Sequence, residues 1–265
     1  MNKHTIIKDA LNKDDLKEIF REAGIKPGMT VEVHSSLRGL GYIVGYAQTV
    51  VDALLETVGY EGTIVMPLQA GSNSEPSSWR NPPADPSIWN KIRDSIPAFD
   101  PIESDAEEMG MVVDNFRRRQ GVYYTRHPSC AFAAYGKYAK LICSHQNLHY
   151  PLNDQSPIGK MRELRAQVLL LGVDYDNCTG MHLGEYQSRT RPIVVCGGAL
   201  DRGNGREWVK YLDIALDSNA FEEAGKRLEE DDKVKVLQVN QSTIKCFRLN
   251  DGIRYTREYL IEKYK

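Results

Sequence analysis

Residues 27–68 read PGMTVEVHSSLRGLGYIVGYAQTVVDALLETVGYEGTIVMPL. Pro27 and Gly28 mark a turn, and the β-branched run from Thr30 to Val33 predicts a strand. A loop carrying Gly39, Gly41 and Gly45 follows. The stretch AQTVVDALLETVG then repeats apolar residues at helical spacing and stops at Gly59. EGTIVMPL predicts the next strand. Strand, loop, helix, strand is a βαβ-like unit, and it predicts an α/β layered fold.

Upstream, Asp14 and Asp15 are candidate caps for a helix that carries Leu16, Ile19 and Phe20, with Gly24 as its stop. Downstream, residues 69–108 are rich in Pro, Ser and Asn, with Trp79 and Trp89 embedded. A loop of that length is usually a lid or a binding surface, and its aromatic residues argue for order. GMVVDNFRRRQG predicts a helix ending at Gly121, CAFAAYG a buried strand, KYAKLICSHQ a helix and AQVLLLGVD another buried strand. From about residue 193, β-type runs (IVVCGG, EWVKYLDI, KVKVLQV, STIKCFRL) surround the helix FEEAGKRLEE. This predicts a smaller β-rich C-terminal part, either a separate substructure or an antiparallel extension of the sheet.

The chain has 265 residues, 41% hydrophobic and 26% charged, with a formal net charge of -2. Its length supports a sizeable core, and its charge excludes an extended electrostatic track for nucleic acid. No apolar run approaches the roughly 20 residues of a membrane span, and MNKHTIIKDALNKDDL lacks the apolar region of a secretory leader. The five cysteines form no CxxC pair. That predicts reduced, mostly buried thiols and a cytoplasmic protein.

Two stretches can carry chemistry. In VHSSLRGLGYIVG, a strand end passes through a glycine loop to a helix N-terminus, which suits a phosphate or pyrophosphate. It matches neither a Walker loop nor a dinucleotide fingerprint, and a plain strand-to-helix connection explains the spacing equally well. In LLLGVDYDNCTGMHLGEY, a strand leads to Thr179, His182 and Glu185 at intervals of three, one face of a helix. A histidine oriented by a carboxylate can take a proton from an attacking amine. A helix cap at Thr179, a solvated Glu185 and a packed His182 is the alternative. Two further arrangements are weaker. His145 and His149 stand four apart but at a helix end entering a loop, so no metal is expected there. Cys178 lies four residues before His182, a spacing that does not establish a thiol–imidazole pair.

The ordered blocks from about residue 14 to 192 resemble the aminoglycoside 3-N-acetyltransferases and their relatives of unknown substrate. They include VHSSLRGLGYIVGYAQTVVDALLETVG, GTIVMP, NSEPSSWRNPP, IRDSIPAFDP, MGMVVDNFRRRQGV, RHPSCAFAAYGK, SPIGKM, LLLGVDYDNCTGMHLGEY and RPIV. The C-terminal third resembles the family less specifically. The resemblance implies one domain over residues 1–265, with a central mixed β-sheet flanked by helices and acetyl-coenzyme A as donor. The family's Thr-x-x-His-Leu-x-Glu block falls on Thr179, His182, Leu183 and Glu185. Its coenzyme contacts fall on His34, Ser35, Ser36, Leu37, Arg38, Gly41, Val44 and Gly45. Candidates for the acidic lining of its acceptor cleft are Asp114, Asp174, Asp176 and Glu185.

The expected reaction is direct acetylation of the 3-amino group of an aminoglycoside, with His182 as general base and Glu185 or Asp114 holding its ring. Backbone N–H groups, or the hydroxyl of Thr179 or Ser36, would meet the developing oxyanion. The expected partners are acetyl-coenzyme A and a cationic small-molecule amine, with no metal, no nucleic acid and no membrane. A homodimer is an open assembly. Rival readings are an acyltransferase for another small amine and a non-catalytic protein that binds coenzyme A or an aminosugar. The chain departs from the family pattern at Tyr46, where a second Gly is frequent, at Gly184, where Ala is usual, and in the acidic stretch ESDAEEMG.

Overall fold

The structure is a computed structural model that describes Ile7 and residues 9–105 and 109–265. Residues 1–6 and 8 of the stretch read for a leader, and residues 106–108 of ESDAEEMG and of the expected binding loop, lie outside the described residues.

The chain begins with β1 (Ala10–Leu11), α1 (Lys13–Glu22), β2 (Thr30–Ser35), β3 (Tyr42–Ile43), α2 (Tyr46–Val58) and β4 (Thr63–Gln69). It continues through α3 (Trp89–Ser95), α4 (Gly110–Arg117), β5 (Tyr123–Tyr124), β6 (Cys130–Gly136), α5 (Ala139–Ile142), α6 (Pro157–Glu163) and β7 (Gln167–Leu171). It ends with α7 (His182–Ser188), β8 (Ile193–Asp201), β9 (Arg206–Ile214), α8 (Phe221–Glu230), β10 (Val234–Val239), β11 (Ser242–Arg248) and α9 (Leu249–Lys263).

Seven strands form one mixed sheet in the order β10-β11-β7-β2-β4-β6-β5. β2 runs parallel to both β4 and β7, and the outer pairings are antiparallel. Both faces of the sheet are covered. Val31 and Val33 of β2 join a core with Leu16, Phe20, Val50 and Leu54 of α1 and α2. Val168 and Leu170 of β7 join a second core with Met161, Phe221 and Leu249 of α6, α8 and α9. Central parallel strands need this double cover, because crossover helices lie on each side. The C-terminal part takes both forms that the sequence left open. β8 and β9 make a separate hairpin, and β10 and β11 extend the sheet antiparallel to β7.

Local expectations hold with a few corrections. The cap of α1 is Asn12, not Asp14 or Asp15: its side chain accepts from Asp14 N and Asp15 N, and Asp15 returns a bond to Asn12 N. α4 stops at Arg117, before Gly121, and α5 is a single turn. In the described part of 69–108, Trp79 Nε1 donates to Ser74 Oγ and Trp89 Nε1 to Ala84 O, while Glu75 pairs with Arg93. Asn73 exchanges bonds with Ala199 N and O, pinning this segment to the β8–β9 hairpin.

Candidate active site

The C-terminal ends of β2, β4 and β7 share one edge of the sheet, and β2 sits between the other two. Such edges are where ligands bind in α/β sheets. From β7 the chain turns through two short 3-10 segments into α7, which begins at His182. Thr179 therefore belongs to the turn before the helix, not to the helix itself. Its Oγ1 accepts from Nε2 of Gln69, 3.1 Å away, which ties it to the end of β4.

His182 Nδ1 lies 2.5 Å from Glu185 Oε2. A carboxylate only accepts, so Nδ1 carries the hydrogen, and in the neutral ring the lone pair is on Nε2. Glu185 has no exposed surface and is held from behind. Arg191 Nε donates to its Oε1 at 2.8 Å, and the Asp217 amide donates to the same oxygen at 3.1 Å. The ring packs edge-on against Phe221, centroids 4.8 Å apart. Nearby, burial raises the Asp213 carboxyl above the usual range, and Tyr186 donates to it.

Asp114 is not the carboxylate on His182. It pairs with Arg117 and Arg118 one turn along α4, and Glu185 holds the ring. The other two acidic candidates have partners too: Asp174 accepts from Lys245 and Asp176 from Asn177.

The glycine loop divides into two parts. Gly39 and Gly41 pack against the β10–β11 turn, where side chains would meet Ser242 and Asn240. Their role is close packing, and Gln241 N donates to Gly39 O. The second part faces outward. Val44, Gly45 and Tyr46 are exposed, and no side chain caps the N-terminus of α2. Gly45 has φ 81° and Tyr46 φ 50°. The tyrosine thus holds a left-handed conformation that glycine adopts more easily, at the position where the family pattern often has glycine. Gly184 packs so closely on α9 that a Cβ would lie 2.5 Å from Ile253 O. A glycine suits that contact better than alanine.

Ser35, Ser36 and Leu37 are half-buried at the edge, and Arg38 is exposed. The His34 imidazole is buried, with Nε2 directed at Glu32. Gly110 starts α4 against the end of β2, 3.8 Å from Ser35 O to a Cβ built there. Beside it a cavity of about 770 Å³ opens between α2 and α4, lined in part by Ala47, Glu103, Asp114 and Arg118.

His145 bonds to Asn147 and His149 Nδ1 accepts from Leu212 N, so each is occupied on its own. Burial holds the Cys178 thiol well above its ordinary range, with Glu32 adding to the rise, so it is no activated nucleophile. Among the described residues, the donor atoms of Glu32, His34 and Cys178 form a group that could hold a metal ion.

The sequence profile of the aminoglycoside 3-N-acetyltransferase family matches residues 33–261. The chain is 35% identical over 250 residues to the SPbeta prophage-derived aminoglycoside N(3')-acetyltransferase-like protein YokD of Bacillus subtilis, covering 94% of this chain and 92% of that one. The crystal structure of YokD superimposes with a TM-score of 0.92 at 34% identity, over 96% of this chain and 95% of that chain. The aminoglycoside N(3)-acetyltransferase IX of Micromonospora chalcea is 28% identical over 80% of this chain and 75% of its own. A histidine-to-alanine mutant of the aminoglycoside acetyltransferase AAC(3)-IVa, in complex with gentamicin, has a TM-score of 0.80 at 27% identity, covering 97% of this chain and 90% of that chain. The chain belongs to the aminoglycoside 3-N-acetyltransferase family. It is an acyltransferase of that family.

Proposed function

We propose that this protein transfers the acetyl group of acetyl-coenzyme A directly to the 3-amino group of an aminoglycoside, with His182 as general base. One observation carries the reading: Glu185, anchored by Arg191, holds Nδ1 of His182 at 2.5 Å and leaves Nε2 free to take a proton. The acceptor amine attacks the thioester carbonyl, and its N–H proton passes to Nε2. The new C–N bond forms, the C–S bond breaks, and the coenzyme A thiolate takes the proton back from the imidazolium. Glu185, itself fully buried, stabilises that imidazolium. The Thr179 hydroxyl donates to the oxyanion, a reading supported by the hydrogen bond from Gln69 that fixes Thr179 Oγ1.

The exposed, uncapped start of α2 offers amide donors for the coenzyme pyrophosphate. Glu103 at the neighbouring cavity supplies negative charge for a cationic acceptor, while Asp114 there is paired with Arg117 and Arg118. The whole of residues 1–265 acts as one catalytic unit, working where acetyl-coenzyme A is found, in the cytoplasm. A thiol-release assay with acetyl-coenzyme A and a panel of amines tests this. Release with aminoglycosides such as gentamicin supports it. Release only with a neutral amine would move the protein to another acceptor class, and no release with any amine would leave a binding protein.

A further inference from the structure

β2 carries two ionisable side chains into the core shared with α6, α8 and α9. Glu32 lies level with Val65 on β4 and Val168 on β7, both aliphatic. Glu32 is 0% exposed, Cys178 0% and His34 6%. Among the described residues, neither Glu32 carboxylate oxygen nor His34 Nε2 makes a hydrogen bond. His34 Nε2 approaches Glu32 Oε1 to 3.2 Å without the alignment of a hydrogen bond. Uncompensated burial of a carboxylate costs several kcal/mol, roughly, so the site calls for a counter-charge. The packing around the carboxylate is close. Gly180 stands over the carboxylate, and a side chain there would run into Glu32 Oε2 and Leu249 Cδ1.

We propose that Glu32, His34 and Cys178 form a buried site for a single zinc ion. One donor atom from each lies within 4.8 Å of the others. Tetrahedral zinc, with bonds of about 2.3 Å to sulfur and about 2.0–2.2 Å to nitrogen and oxygen, sets its donors roughly 3–4 Å apart. Small side-chain rotations therefore close the site. Carboxylate, imidazole and thiolate together suit zinc better than magnesium or calcium, which prefer oxygen alone. On binding, the Cys178 thiol gives its proton to solvent and the sulfur becomes a ligand. The ion also supplies the charge that the Glu32 carboxylate lacks. Two donors sit on one strand, and the third directly precedes Thr179. The metal thus ties the central strand to the segment that leads into α7.

Metal-free full-length protein is titrated with cobalt(II) and then with zinc(II), reading the near-ultraviolet thiolate-to-metal absorption, the stoichiometry and the Tm. The expected result is one metal per chain, a thiolate band, displacement of cobalt by zinc, and a rise in Tm of about 5 °C or more at saturating zinc. The band should vanish in Cys178→Ser, and the Tm rise should shrink at least by half in Glu32→Gln. The wild-type protein carries the primary readout, so a poorly folding variant leaves the test intact. Wild-type protein that shows no thiolate band and no zinc-dependent Tm rise overturns the proposal. So does uptake that survives unchanged in folded Cys178→Ser, which would locate the metal at other side chains.

Discussion

Glu185 Oε2 lies 2.5 Å from His182 Nδ1 while the other carboxylate oxygen is bound by Arg191. The carboxylate is thus held at both ends, and the ring has one defined orientation. Glu185→Gln keeps the size but presents a neutral, rotatable amide. It should lower kcat by about a hundredfold or more, the scale of losing a positioned acid–base group, with a small change in KM for either substrate. Steady-state kinetics with both substrates varied checks this. A kcat within threefold of wild type would remove Glu185 from the mechanism.

The start of α2 gives a second test. Val44 is exposed beside the uncapped helix N-terminus. Val44→Glu places a negative charge where the coenzyme pyrophosphate is proposed to sit. Affinity for coenzyme A should fall about tenfold, roughly 1.4 kcal/mol, and the loss should lessen at high salt. Val44→Thr should bind as wild type does. Calorimetric titration reads both, and equal affinities for all three proteins would place the phosphates elsewhere.

Much of this was legible in the sequence because it rests on local pattern. The β2–α2–β4 unit follows from periodicity and glycine stops, and His182 with Glu185 from an interval of three. Glu32 was not legible as a buried group. In VEVHS the alternation Val31, Glu32, Val33, His34 reads as a strand with one wet face. β2 instead lies at the centre of a doubly covered sheet, so both faces are dry. Gln69 and Arg191 also escaped notice. Each meets the site through tertiary contact, Gln69 across 110 residues of chain, and no spacing rule signals such a contact.

Gly180 gives a stability test. A Cβ there would collide with Glu32 Oε2 and Leu249 Cδ1, in a core with little room to give. Gly180→Ala should therefore cost about 1–3 kcal/mol, the range for overpacking. Urea denaturation measures it. A midpoint unchanged from wild type would mean that the turn before α7 yields freely.

His127 sets a pH dependence of folding. Its ring is buried, Nδ1 accepts from the amides of Ser129 and Cys130, and burial lowers its pKa from 6.5 to about 4. The unfolded chain therefore binds the proton first as pH falls. This contribution to stability is complete above about pH 6.5 and is lost progressively towards pH 4, by about 3 kcal/mol in all. Denaturant midpoints of wild type and His127→Gln between pH 7 and pH 4 should converge as pH falls. Parallel curves would show that His127 is not the group responsible.

The central claim is that His182 takes the proton from the attacking amine. Its most direct measurement is kcat for His182→Ala with acetyl-coenzyme A and the acceptor both saturating, after coenzyme A affinity and Tm have shown the variant folded. The expected result is a loss of about a hundredfold to ten-thousandfold in kcat with coenzyme A still bound as in wild type. A folded His182→Ala protein that turns over within tenfold of wild type would contradict the account.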